Sequence, residues 1–240
     1  MKEQFIRTEG LLGEAAITRL QSARVAVFGI GGVGGYAVEA LVRAGVGALD
    51  LIDSDTVSES NLNRQIIALH STVGQYKTEV AASRARDINP DVRITVHNTF
   101  FLPENADLFD FSQYDYVIDA IDTVTAKMEL VRRANAAGTP IISAMGTGNK
   151  LDPTAFRVTD IYKTEGCPLA RTVRGLCRKE GIKHLKAVWS PEPPRGTTFA
   201  EEGRHAPASI SFTPSSMGLI MAGEIILRLS SPHAPNEDHP

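Results

Sequence analysis

The stretch Arg24-Val25-Ala26-Val27-Phe28-Gly29-Ile30-Gly31-Gly32-Val33-Gly34 decides the fold. Its first half is a short β-branched run suited to a strand buried on both faces. Its second half fits G-x-G-x-x-G through Gly29, Gly31 and Gly34, with Gly32 beside them. Without side chains there, a backbone can approach a phosphate while the following helix offers free N–H groups and a positive dipole end. Helical spacing at Tyr36, Ala40, Leu41 and Ala44 predicts a helix over 32–44, and Gly45 stops it. Ala48 to Asp53 reads as the next strand, and its terminal Asp53 is placed to accept hydrogen bonds from ribose hydroxyls. Strand, glycine turn, helix and acid together indicate a nucleotide rather than tight packing alone. They do not say which nucleotide, because NAD and FAD enzymes use the same arrangement.

Farther out the same rhythm continues. Gly74 to Ile88 is helical and ends at Asn89-Pro90, Val92 to Val96 alternates as a half-buried strand, and Tyr114 to Ala120 is a buried run. A helix over 123–137 stops at Gly138, and Pro140 to Met145 makes the next strand. The fold class expected is α/β, a doubly wound, Rossmann-like and mostly parallel sheet with its nucleotide-binding core at about 20–150. The second half reads as a C-terminal extension of that same domain, which spans 1–230. It holds strands at 156–161 and 185–189, a helix over 167–179, an exposed loop over 196–208 and an apolar helix over 216–229 that closes the core. The segment 231–240, rich in proline, is expected to be disordered.

With 240 residues, 42% apolar and 22% charged, the composition excludes a disordered or collagenous chain. A net charge of -3 excludes a globally basic nucleic-acid binder, so any RNA must be held by a local patch. Two cysteines, Cys167 and Cys177, can neither build a disulfide framework nor supply the four ligands of a structural zinc. The start, Met1-Lys2-Glu3-Gln4, has no apolar run like that of a signal peptide, and the late apolar run is cut by Glu224 and Arg228. The expectation is a soluble, cytoplasmic protein with no membrane partner.

The residues after Asp53 narrow the nucleotide. Asp53-Ser54-Asp55-Thr56-Val57-Ser58-Glu59-Ser60-Asn61-Leu62-Asn63-Arg64-Gln65 is followed by Lys77, and Asp122 ends Ile118-Asp119-Ala120-Ile121-Asp122 at the carboxyl edge of the sheet. A triphosphate carries about four negative charges near neutral pH. Two fixed cations, Arg64 and Lys77, with a metal held by Asp122, suit that charge better than they suit a dinucleotide pyrophosphate. Singly, each cation reads as a solvated surface charge, Asp55 as a turn cap, Asn61 as turn chemistry and Asp119 as structural. Their joint spacing outweighs those readings. An NAD-dependent oxidoreductase would need only the glycine loop and Asp53, leaving Arg64, Lys77 and Asp122 unexplained.

The glycine loop, the D-x-D-x-V-x-x-S-N-x-x-R-Q run, the G-x-x-K and the D-A-x-D together resemble the adenylating domain of the ThiF-like superfamily. Within it, Arg7-Thr8-Glu9-Gly10-Leu11-Leu12-Gly13, the Ile118–Asp122 variant and Leu151-Asp152-Pro153-Thr154 most resemble the tRNA threonylcarbamoyladenosine dehydratases. The resemblance implies ATP over the glycine loop with its ribose on Asp53, Asn61, Arg64 and Lys77 on the phosphates, and Asp122 positioning Mg2+. It also implies a homodimer in which Arg7 reaches the neighbouring subunit's site. The implied substrate is tRNA carrying N6-threonylcarbamoyladenosine at position 37, with a sulfur-transfer protein left open as an assisting partner. The alternative within the superfamily is a sulfur-carrier adenylyltransferase acting on a C-terminal Gly-Gly. It shares the nucleotide residues, but the paired C-x-x-C motifs common in that branch are absent.

For RNA, Arg171, Arg174 and Arg178 fall at i, i+3 and i+7 on one helix face, amid Lys179, Lys183 and Lys186. The competing reading is a solvated helix face. Cys167 and Cys177 read as small core residues, although Arg178 and Lys179 beside Cys177 are expected to lower its thiol pKa if they reach it.

Overall fold

The β-branched runs form strands because each can be buried on both sides. In β1 (Arg24–Phe28), Val25 and Val27 pack with Leu49, Leu51 and Ile118 on one face, while Ala26 and Phe28 pack with Ile52 and Val117 on the other. The computed structural model describes residues 3–196, 198–201 and 204–232. Residues 233–240 of the segment expected to be disordered lie outside the described residues.

Strands β2 (Ala48–Ile52), β3 (Arg93–His97), β4 (Tyr116–Asp119), β5 (Ile141–Ala144), β6 (Arg157–Asp160) and β7 (Lys186–Trp189) complete a seven-stranded sheet in the order β3-β2-β1-β4-β5-β7-β6. All neighbours run parallel except β6, which pairs antiparallel with β7 at the edge. The expected doubly wound sheet is therefore present. Strand order reverses between β1 and β4, and in such sheets ligands bind in the crevice beyond the carboxyl ends at that point. Gly29, Asp53, Ala120 and Met145, each one residue past its strand, leave the sheet at that edge.

Helix α1 (Ile6–Leu12) and α2 (Glu14–Ser22) precede the sheet; neither was expected. The buried Ala16, Ile17 and Leu20 fix α2, which packs against α7 (Phe212–Ser230). Helix α3 (Gly34–Ala44) packs on both α7 and α4 (Lys77–Ile88), so the last helix does close the first core. Helices α5 (Val124–Ala137) and α6 (Pro168–Lys179) pack together with Trp189 and Met145 over the other face.

Two boundaries move for physical reasons, and one expected loop holds strands. Helix α4 begins at Lys77 rather than Gly74, because Tyr76 is held extended by a bridge to Thr56. Helix α7 begins at Phe212, four residues early, since Pro214 sits in the first turn where a missing N–H is harmless. The expected loop over 196–208 contains an antiparallel hairpin, β8 (Thr198–Glu201) with β9 (Arg204–Pro207). No described helix is long and apolar enough to cross a membrane.

Candidate adenylation site

The glycine turn is organised from β2. The N–H of Ile30 donates to Asp53 Oδ2 at 2.7 Å, and the N–H of Asp55 donates to Asp53 Oδ1 at 2.8 Å. Burial pushes the Asp53 carboxyl above its ordinary value, against the pull of Lys77 and of those two N–H groups. Each carboxylate oxygen keeps a second lone-pair direction for a ribose hydroxyl. A Cβ on Gly34 would lie 1.8 Å from the Gly29 carbonyl oxygen, so turn and helix can approach only with glycine there. Gly31 faces open space: its Cβ would meet only Gln65 Nε2 at 3.8 Å.

A cleft of about 830 Å³ opens over this turn. Gly29, Gly31, Gly32, Asp53, Asp55, Asn61, Arg64, Lys77 and Asp122 all line it; Gly34 lies beneath, in the first turn of α3. Phe28, Ile52, Phe100 and Phe101 give it an apolar wall beside Asp53. Lys77 is buried, and its ammonium sits 2.7 Å from Asp55 Oδ2, while the Asp55 side chain is 62% exposed. Arg64 Nη1 donates to the Ser60 carbonyl at 2.8 Å and to Asn63 Oδ1 at 3.0 Å. Asn61 is buried, its Oδ1 accepting the Ser58 N–H at 3.2 Å, and its own carbonyl accepts from Arg64 and Gln65. The short helical turn that carries Arg64 is therefore built on Asn61.

Asp119 takes no place in the cleft lining. Lys127 Nζ donates to Asp119 Oδ2 at 2.7 Å, Ser143 Oγ at 3.3 Å and the Ala144 carbonyl at 3.0 Å, with both charges fully buried. Burial pushes the Asp119 carboxyl up and Lys127 draws it back. This cluster ties β4 to β5 and fixes where Asp122 and Met145 emerge.

Other sequence-derived residues stand apart. Arg7 is exposed on α1 and does not line the cleft. On α6, Arg171 is exposed, Arg178 stacks over the Tyr162 ring at 5.6 Å, and Arg174 Nη1 donates to the Thr164 carbonyl and hydroxyl, each at 2.6 Å. Cys177 corrects an expectation: burial pushes its thiol up to about 11 despite the neighbouring cations. Cys167 is buried as well.

Sequence reasoning missed half the cleft. Its far wall is Met145-Gly146-Thr147-Gly148 after β5, Leu169 on α6, and Pro207-Ala208-Ser209. Gln65, buried, also lines it and leaves Oε1 without a partner among the described residues. A glycine pair just past a strand at the carboxyl edge was the one available signal.

Residues 5–239 match the ThiF family. The chain belongs to that family. It is 41% identical to a tRNA threonylcarbamoyladenosine dehydratase of Bacillus subtilis over 95% of each chain. A crystal structure of Escherichia coli tRNA N6-threonylcarbamoyladenosine dehydratase superposes with a TM-score of 0.86 at 36% identity, covering 95% of this chain and 94% of that one. The same enzyme in complex with ATP superposes with a TM-score of 0.83, again at 36% identity, over 94% of both chains.

Proposed function

We propose that the protein is an ATP-dependent tRNA threonylcarbamoyladenosine dehydratase, which activates a carboxylate by adenylation. What carries the reading is the meeting, in one cleft, of the Asp53-organised glycine turn with Arg64, Lys77 and Asp122, in a chain similar end to end to dehydratases. The carboxylate of N6-threonylcarbamoyladenosine at tRNA position 37 attacks the α-phosphate of ATP, and pyrophosphate leaves. A nitrogen of the same modified base then closes on the acyl carbon and expels AMP, with net loss of water from the base.

The chain's own groups do electrostatic and positioning work. Asp53 holds the ribose, the glycine turn and the α3 N-terminus accept the phosphates, and Asn61 fixes the turn that presents Arg64. Arg64 and Lys77 stabilise charge on the phosphoryl oxygens once Lys77 turns from Asp55. Among the described residues no cluster of three metal-binding side chains exists. One carboxylate at the cleft, Asp122, nevertheless fits magnesium, which is held by one or two carboxylates together with phosphate oxygens and water. When bound, the ion would neutralise charge on the triphosphate. Arg7, exposed on α1 outside its own cleft, suits a homodimer in which it completes the neighbour's site. The cytoplasm, where tRNA is found, is the setting this reading implies.

The test is AMP release in the presence of ATP, magnesium and tRNA bearing the modified base. Release should require that tRNA; release independent of it, or supported equally by a sulfur-carrier protein, would overturn the assignment.

A further inference from the structure

The cleft has more lining than the nucleotide motifs supply. The glycine turn, Asp53 and the phenylalanine wall make up one part of it, and Met145–Gly148, Leu169 and Pro207–Ser209 make up another. Nothing in the nucleotide motifs accounts for that second part, yet it is built with care. Gly148 lies so close to Pro207 that a Cβ there would approach the proline ring at 2.7 Å. Next to it, Asn149 has φ +60°, the one described non-glycine residue in the left-handed region, which asparagine tolerates better than most side chains. Three hydrogen bonds hold it. The Asn149 N–H donates to the Ala208 carbonyl at 2.8 Å, its Oδ1 accepts the Ala208 N–H at 2.7 Å, and its carbonyl accepts the Arg195 N–H at 2.8 Å. Asn63 Nδ2 donates to the Ser209 carbonyl at 3.0 Å, joining the same wall to the turn that bears Arg64.

Two segments about 60 residues apart are thus clamped into one wall abutting the nucleotide part of the cleft. The chemistry of that wall is mixed. The half-buried Leu169, with the nearly buried Met145 behind it, gives an apolar floor, Thr147 and Ser209 offer hydroxyls, and the N–H groups of Gly146, Thr147 and Gly148 have no partner among the described residues. Apolar surface with a few convergent donors suits a planar base carrying a carboxylate.

We propose that this part is the acyl-substrate compartment, with the modified base against Met145 and Leu169, its carboxylate on the Thr147 and Ser209 side, and Asn149 as the positioning residue that holds the wall. The inference rests on the reading given under Proposed function and assigns residues to the substrate that reading names.

Thr147→Trp and Ser209→Trp, on the two clamped segments, fill the compartment and leave Asp53, Asn61, Arg64, Lys77 and Asp122 unsubstituted. Both should lower kcat/KM for modified tRNA at least 100-fold while ATP affinity, measured by calorimetry, stays within twofold and certifies the fold. Asn149→Gly keeps the two backbone hydrogen bonds but removes the side-chain bond to the Ala208 N–H and frees the backbone there; KM for tRNA should rise five- to tenfold with KM for ATP and the melting temperature nearly unchanged. If both tryptophan variants stay within threefold of wild type, or both lose ATP affinity, the compartment is wrongly assigned. If the wild-type protein shows no tRNA-dependent AMP release, the functional reading itself fails, and the two failures are separable.

Discussion

Lys77 Nζ lies 2.7 Å from Asp55 Oδ2, a buried ammonium held by a mostly exposed carboxylate at the mouth of the cleft. The pair keeps the ammonium oriented at the cleft, where the proposed reading places the phosphates, and the exposed acid competes weakly because water screens it. Lys77→Met should therefore deprive the phosphates of a cation at little cost in stability. AMP release should fall about 100- to 1000-fold, the scale of removing one transition-state donor. Thermal unfolding should change by less than about 1 kcal/mol, since Asp55 loses only an exposed ion pair. Single-turnover kinetics and a melting curve check both halves.

The glycines of one turn should separate by task. A Cβ on Gly34 meets a backbone oxygen at 1.8 Å, which no rotamer change relieves, so Gly34→Ala should destabilise the fold by about 3 kcal/mol or more. A Cβ on Gly31 meets nothing closer than 3.8 Å, so Gly31→Ala should fold normally. It should nevertheless weaken ATP binding by about tenfold or more, because the methyl occupies space the phosphates need. Denaturant unfolding and calorimetry with ATP on the two variants decide this.

The first half of the fold is legible because its signals are local: a β-branched run, a glycine turn and an acid at the next strand's end each lie within a few residues. That Arg64 and Lys77 share one cleft is legible by spacing, since Arg64 sits on a turn built on Asn61 and Lys77 opens α4 against Asp55. The far wall is not, because Asn149 and Ala208 meet only in three dimensions. Nor is α1, whose short run is interrupted by Gly10 and bounded by Gly13. At Cys177 the adjacent Arg178 and Lys179 point to an acidic thiol, but the helix turns that sulfur into the core and burial decides.

Asp50 links the stability of the sheet to acid. Arg24 holds it through two bonds of 2.9 Å, with His97 Nε2 at 3.3 Å and the Tyr114 hydroxyl at 3.2 Å, so one carboxylate ties β1, β2 and β3 together. Burial alone would raise its pKa; the hydrogen bonds from His97 and Arg24 win and hold it below the ordinary value. Since the folded value lies below the unfolded one, this contribution is complete above about pH 4 and is lost as pH falls through the folded value. Asp50→Asn should destabilise at pH 7 by about 2–3 kcal/mol and flatten the loss of stability below pH 4. Urea unfolding of both proteins between pH 3 and pH 7 measures the difference; parallel curves would remove Asp50 from the account.

The arginines of α6 pose the last question, because two of the three already have partners in the chain. Arg174 is bonded to Thr164 and Arg178, though exposed, lies over Tyr162, while Arg171 is exposed. A stripe that meets tRNA phosphates should respond to charge in proportion to the phosphates it pairs, while a solvated face should not. Arg171→Glu with Arg178→Glu should weaken tRNA binding more than tenfold and lower the salt slope by about 1 for each phosphate left without its arginine, with ATP affinity unchanged. Arg174→Glu should add a stability loss of about 1–3 kcal/mol, because it leaves the Thr164 groups without their donor. Unchanged tRNA affinity in the double variant across 50–200 mM salt would make the stripe a solvated face, and the tRNA surface would have to be sought elsewhere around the cleft.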